Sequence, residues 1–358
     1  ACSGLAPEGD LEDWETLAGD DERLQNGMRR LYSIFDEAPT LGSLIDPGAP
    51  ENRLDTATFE EIDPLLREAF SSGQDLEATE RGVVAFGIAR AAEMMSEKYV
   101  LTATNVPYLG RGNQSDEMAD FIEENYPEGK ADLATAFIER CRGFCQRSGT
   151  AALVSPQSWL FQEFYSSFRR SYLEGVEWDI VARLGTRAFD EISGEKVNVA
   201  LLSLTRRSPD ADSQFLGLDA SDGDGARTKA RNLLNSEPLR VKQRRQAAHP
   251  GSIVSFEDLS GKRQLSRDAY CYQGTSTGDN PRFTRSFWEL DRAGKWEPFQ
   301  KSADSHELFA GRATFVDWSW LQSDGSGAAI RGHEAWGQEG LALGQMQQVP
   351  ATIYHGVK

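Results

Sequence analysis

The run Thr102–Gly110, TATNVPYLG, places an asparagine, a proline and a tyrosine within four positions. Before it, KYVLTA is rich in β-formers and reads as a buried strand. After it, GRGNQSDE is polar and contains glycine, which reads as a loop. Asn105 is therefore the side chain that a strand delivers to a loop. In open α/β sheets that edge is where ligands bind. These residue types suit a flat molecule carrying a conjugated amine. Such an amine is a poor nucleophile because its lone pair is delocalised into the ring. Two acceptors on its two protons favour a pyramidal nitrogen with the lone pair freed. The Asn105 side-chain oxygen is one acceptor and the Val106 backbone carbonyl is the second. Tyr108 supplies a ring for stacking, and Pro107 fixes φ and directs the turn. The same four residues also describe an Asn-initiated turn closing a strand, and the tetrapeptide alone favours that turn.

The elements around this run have a clear rhythm. Residues 1–97 read as helical and polar, with apolar residues at helical spacing in LEDWETLA, RLQNGMRRLYSIFDEA, FEEIDPLLREAF and TERGVVAFGIARAAEMMSEK. From residue 98 the pattern becomes strand (KYVLTATN), helix (KADLATAFIERCRGFCQR), strand opened by Gly149 (GTAALVSP), helix (SWLFQEFYSSFRRSYLEG), then two strands (VEWDIVARLG, EKVNVALLSLTR). That order predicts an α/β fold, the back half of a mostly parallel sheet ending in a strand pair. Residues 208–249 read as a basic connector with turn-rich acidic loops. Residues 250–358 read as a second, mixed α+β domain rich in Gly, Trp and Phe.

The chain has 358 residues and a net charge of −18. So acidic a surface argues against general polyanion binding, which needs positive charge, but it leaves room for a local basic strip. Residues 227–245, RTKARNLLNSEPLRVKQRR, are such a strip, with Arg244 and Arg245 at its end. Four cysteines in this length fit a reducing cytoplasm. Cys141 and Cys145 share a helix face without neighbouring ligands, so no metal site is expected. No apolar run is long enough to span a bilayer, and no secretory signal opens the chain. The sequence reads as a piece of a longer cytoplasmic protein.

Five ordered runs carry a family resemblance: TNVPYLGRGNQS, KADLATAFIERC, GTAALVSPQSWLF, ARLGTRAFDEISGEKVNVALLSL, and YQGTSTGDNPRF followed by KWEPFQK; FDEAPTLGSLIDP extends it upstream. Together they resemble the large adenine-specific DNA methyltransferases of BREX phage-defence systems (the PglX type), relatives of the type IIG restriction-modification methylases. The resemblance implies the C-terminal part of a Rossmann-like methyltransferase sheet, and transfer of a methyl group from S-adenosylmethionine to N6 of an adenine turned out of double-stranded DNA. It also implies host-DNA marking, with other defence subunits as candidate partners.

By the same resemblance, Asn105, Val106, Pro107 and Tyr108 hold the base, and Phe189 packs on it from the other side. Asp132 and Pro156 border the pocket. Asp132 equally fits a first-turn acid favouring the helix dipole, and Phe189 a buried loop residue. Arg244, Arg245, Asn280 and Arg282 contact DNA. Val106 stands where the family motif has its first proline, which keeps the carbonyl and gives up rigidity. The Gly-rich cofactor turn is expected upstream of these residues, so this chain alone is expected to bind the donor weakly. No general base is needed, because the methylated amine loses its proton to water. A non-catalytic DNA-recognition or assembly subunit is the competing reading.

Overall fold

The computed structural model describes residues 4–16, 18–48, 57, 61–62, 64, 76–189, 197–290, 295–301, 307–323, 327–344 and 349–357. They form two compact units, residues 1–262 and 263–358.

The first unit opens with helices α1 (Leu11–Thr16), α2 (Glu22–Asp36) and α3 (Leu76–Ser96). The α2 helix starts where Asp21 accepts the Arg23 and Leu24 N–H groups at 3.0 and 3.1 Å, satisfying donors that the first turn leaves free. The helix expected over 59–70 lies, apart from Glu61, Ile62 and Pro64, outside the described residues. After α3 come β1 (Tyr99–Asn105), α4 (Asp116–Asn125), α5 (Leu133–Phe144), β2 (Cys145–Pro156), α6 (Ser166–Gly175), β3 (Glu177–Gly185), β4 (Val199–Thr205), β5 (Gln214–Asp219), α7 (Ala226–Asn235), β6 (Leu239–Lys242) and α8 (Gln243–Ala247).

The six strands form one sheet in the order β1-β2-β4-β3-β5-β6. β1 pairs parallel with β2 and β3 with β5, while β2–β4, β3–β4 and β5–β6 are antiparallel. Four strands thus run one way, and β4 is inserted between β2 and β3 in reverse. The result is an α/β fold with a mixed sheet, less parallel in its pairings than the sequence rhythm predicts. β2 begins at Cys145 rather than at Gly149, because Phe144 ends α5 and Cys145 is already extended and buried. The register slips between Tyr99 and Leu101 as β2 passes its partner. A side chain at Gly149 would come 2.7 Å from the Tyr99 carbonyl, so only glycine permits that approach.

Two cores hold this unit. One joins Met28, Leu31, Phe35 and Leu44 to Ile88, Ala92, Ile122 and Ala136, so the N-terminal helices share a core with α4 and α5. Arg140 of α5, 2% exposed, reinforces this by donating to the carbonyls of Ser43 at 3.0 Å and Ile45 at 2.7 Å and pairing with Asp46 at 3.0 Å. The Tyr126 hydroxyl donates to the Leu44 carbonyl between them at 2.6 Å. The second core centres on Trp159, Phe168, Tyr172, Trp178 and Phe215 beneath the sheet.

Three features differ from the sequence reading. The first is β1, expected to be buried. It sits at the sheet edge with Val100 68% and Leu101 59% exposed, because only β2 pairs with it here. Second, residues 208–249 are more than a connector, since β5 and β6 extend the sheet and Phe215 is fully buried. Third, the first unit runs past residue 250 to 262. Val254 is fully buried, its N–H bonds the Leu160 carbonyl at 2.9 Å and its carbonyl receives Arg183 at 2.8 Å.

The second unit contains a three-stranded antiparallel sheet of β7 (Thr284–Ser286), β8 (Trp296–Phe299) and β9 (Thr314–Asp317), in the order β7-β9-β8. A hairpin of β10 (Glu339–Leu343) and β11 (Ala351–His355) follows. Phe283, Phe299, Val316, Trp318 and Leu321 form its core. Its helices are single turns, so the unit is β-rich.

Candidate active site

The C-terminal ends of β1, β2 and β3 lie at one edge of the sheet, together with the start of β4. Register fixes this: Asn105 pairs with Val154, Pro156 with Val199, and Val199 with Gly185. The residues expected to hold, flank and border the base therefore converge. Asn105 is exposed as the last residue of β1. Its side-chain oxygen accepts the Tyr108 hydroxyl at 3.3 Å, longer than a strong O–H···O bond, so an incoming N–H can compete for it. The Tyr108 ring is half-buried against the second core, and burial pushes its hydroxyl up to about 12. Tyr108 is thus a neutral donor at any ordinary pH. Pro107 is exposed and turns the chain away.

Val106 explains its own presence. Its side chain is 2% exposed, and its N–H donates to the Val154 carbonyl at 3.1 Å. Proline has no N–H to give. The rigidity that proline supplies through fixed φ is supplied here by one more rung of the β1–β2 ladder. Among the described residues nothing donates to the Val106 carbonyl, which stays available as an acceptor.

Asp132 caps α5 by accepting the Ala134 N–H at 2.8 Å, and it also receives the Leu109 N–H. Leu109 and Gly110 pair back, with the Leu133 N–H on the Leu109 carbonyl at 2.9 Å and a β-bridge from Gly110 to Asp132. Burial raises the Asp132 carboxyl while these two N–H groups lower it, and burial dominates. Asp132 therefore caps α5 and staples the motif loop to it, ties that its spacing in sequence did not reveal.

Pro156 ends β2, and the Gln157 N–H donates to the Asn198 carbonyl at 2.7 Å. The following turn is pinned by Arg169 of α6, which the sequence does not single out. Its side chain is fully buried and donates to the carbonyls of Trp159 at 2.7 Å, Gln162 at 2.8 Å and Ser252 at 3.0 Å. Desolvation lowers its guanidinium to about 10. An arginine in SSFRRSYLEG gives no sign in sequence that it is the buried one of the pair. Phe189 is half-buried and packs, as Val154 does, against the cluster of Leu184, Ala188, Val199 and Ala220.

Residues 47–187 match the family model described as Eco57I restriction-modification methylase. The adenine-specific methyltransferase PglX of Lacticaseibacillus casei (strain Zhang) is 26% identical over 262 residues, 64% of this chain and 21% of that protein. The adenine-specific methyltransferase BrxX of Escherichia coli O9:H4 (strain HS) is 28% identical over 181 residues, 51% of this chain and 15% of that protein. This chain is similar, over part of its length, to adenine-specific methyltransferases. The resemblance carried by the motif runs is thereby borne out. The chain spans about a fifth of the first relative's length. A solved structure of the Type IIL restriction-modification enzyme MmeI in complex with DNA aligns over 63% of this chain and 29% of its own, at 14% identity and TM-score 0.38, a likeness too weak to carry argument.

The expected DNA contacts fall in both units. Arg244 and Arg245 are exposed on α8 of the first, and Arg245 is paired with Asp258 at 2.9 Å. In the second unit Asn280 and Arg282 are exposed on the turn Asn280–Phe283. The Asn280 oxygen takes the Thr277 hydroxyl at 2.7 Å, and Arg282 lies over the Phe283 ring at 4.9 Å. Among the described residues no His, Cys, Asp and Glu cluster could hold a metal, and no helix is long and apolar enough to cross a membrane.

Proposed function

We propose that this chain is the base-binding part of a site-specific DNA methyltransferase that modifies N6 of adenine, marking host DNA in phage defence. The observation that carries it is the set of acceptors at the end of β1. An exposed Asn105 and a Val106 carbonyl that no described residue engages precede a half-buried, neutral tyrosine ring. Entry of the base replaces the long Tyr108–Asn105 hydrogen bond by one from the amine, and the Val106 carbonyl takes the second proton. Both protons are then held in place, and the nitrogen lone pair is turned out of the ring. The Tyr108 ring stacks on the base and repays part of the cost of taking it out of the duplex. The β1–β2 rung at Val106 and the Asp132 staple keep the two acceptors rigid, which is what electrostatic catalysis requires.

S-adenosylmethionine is the methyl donor in this proposal. Asp132, expected to border the pocket, spends its carboxylate on the Ala134 and Leu109 N–H groups, and β1 leaves an apolar edge open. Double-stranded DNA is the partner, with Arg244 and Arg282 neutralising phosphate or reading base edges. The experiment is expression of the full reading frame, with its neighbouring genes, in a host lacking adenine methylation. Single-molecule sequencing then maps N6-methyladenine. The proposal expects a defined, strand-specific motif that disappears with Asn105→Ala. A mark that survives the substitution places the chemistry in another loop. No mark from a folded protein with its partners present supports the assembly-subunit reading.

A further inference from the structure

The loop after β3 is held in a conformation that its sequence does not favour. Arg187 has φ 55, in the left-handed region that a residue with a side chain enters only when its surroundings impose it. The surroundings here are the turn Asp219–Gly225. The Gly225 N–H donates to the Arg187 carbonyl at 3.2 Å, and Arg187 Nη1 donates to Asp224 Oδ2 at 2.6 Å. Gly185, with φ 68, lets the two loops approach: a side chain there would come 3.1 Å from the Ser221 Cβ. The turn is itself fixed from α7. Lys229, 2% exposed, gives its ammonium to the Ser221 carbonyl, and Asn232 donates to the Asp222 carbonyl at 2.8 Å. The Gly225 carbonyl takes the Thr228 and Lys229 N–H groups, both at 3.1 Å. Despite its acidic sequence, DASDGDG, the turn gives one carbonyl to an internal ammonium and a second to Asn232. It is a rigid abutment, and the strained residue leans on it.

Two residues beyond Arg187, Phe189 packs with the cluster that Val154 also touches, and the Val154 carbonyl holds Val106. We propose that Arg187 is a positioning residue: it locks the Gly185–Phe189 loop onto the turn Asp219–Gly225, so that Phe189 is presented to the base held by Asn105 and Tyr108. This rests on the proposed function and on Phe189 as the second stacking ring. The ion pair is exposed on both sides and contributes little, so the backbone conformation at residue 187 is the essential part.

The test uses the full-length methyltransferase and the DNA site mapped above. Valine, being β-branched, resists positive φ. Arg187→Val is expected to lower kcat on the order of 10- to 100-fold, with KM for DNA changed by less than about threefold. Arg187→Gly, which accepts the same φ, is expected to recover most of that loss. Phe189→Ala is expected to match Arg187→Val, and the double variant to be no worse than either single one, because both remove the same ring placement. Losses that multiply in the double variant, or a normal kcat for Arg187→Val, overturn the inference. If Arg187→Val does not fold, Arg187→Ala is put through the same cycle with the same two criteria. If the wild type methylates, Asn105→Ala does not and Arg187→Val is normal, only the positioning role falls. If the wild type places no methyl on adenine, the site reading and this inference fall together.

Discussion

Tyr108 separates two ways in which the site could work, through its ring or through its hydroxyl. Among the described residues the hydroxyl makes one hydrogen bond, to Asn105 at 3.3 Å, and burial holds its pKa at about 12. It therefore cannot act as a base near neutrality. If the ring does the work, that hydrogen bond holds Asn105 only until the base displaces it. Tyr108→Phe keeps the ring and removes a weak competitor for the Asn105 oxygen. A neutral hydrogen bond is worth roughly 0.5–1.5 kcal/mol, and the length of this one puts it at the low end. The single-turnover methylation rate is expected to stay within about threefold of wild type, in either direction. Tyr108→Ala removes the stacking surface, worth roughly 1–3 kcal/mol per base, so the apparent affinity for the flipped base and the rate together fall about 5- to 150-fold. The assay is single-turnover transfer to the mapped duplex at saturating enzyme, with thermal unfolding measured alongside to exclude a folding defect. A Phe variant as impaired as the Ala variant refutes the reasoning, because it gives the hydroxyl a chemical role. An unimpaired Ala variant refutes it from the other side.

Further outcomes follow from the same structure. Glu139 is raised to about 7 by burial and the nearby Glu128; an acid raised on folding loses stability as pH climbs from its unfolded value near 4.5 to about 7. Glu139→Gln is expected to flatten that slope and to stabilise the protein at pH 8 by about 2 kcal/mol after discounting for partial exposure, read from urea midpoints at several pH values. Arg140→Ala leaves the Ser43 and Ile45 carbonyls without their donor and is expected to cost about 3 kcal/mol in the same measurement. Arg244→Ala is expected to reduce the salt slope of DNA binding by about 1, and Arg245→Ala by less, because Asp258 already pairs with it; equal slopes for the two variants contradict that ordering.

The legible part of this fold is the part whose periodicity faces a core. The runs GTAALVSP and EKVNVALLSLTR, and the spacing of Leu133, Phe137 and Ile138 on α5, place strands and helix where the sequence predicts, with Phe137 only partly buried. The candidate motif at the end of β1 stands out in sequence because the chemistry proposed for it needs particular side chains in a fixed order. Strand direction is not legible, since β4 runs against its neighbours on the same hydrophobic pattern that a parallel strand would show. β6 reads as a basic linker because it is a four-residue edge strand whose exposed positions are filled by Leu, Arg and Lys. Edge position also explains β1, whose apolar residues predict burial that the described strands do not supply. The contacts around the site come from backbone carbonyls that receive Arg169 and Lys229 and from the Arg187 carbonyl that receives the Gly225 N–H, and no residue pattern announces where a carbonyl will be.

The most direct test of the central claim is the chemical identity of the product. The full-length protein is incubated with unmethylated duplex and a donor carrying a deuterated methyl group, and the digested nucleosides are resolved by mass spectrometry. Deuterated N6-methyladenine is expected from the wild type, and none above background from Asn105→Ala. Label on cytosine, or label on adenine that persists without the Asn105 side chain, would contradict the claim that the end of β1 holds the amine.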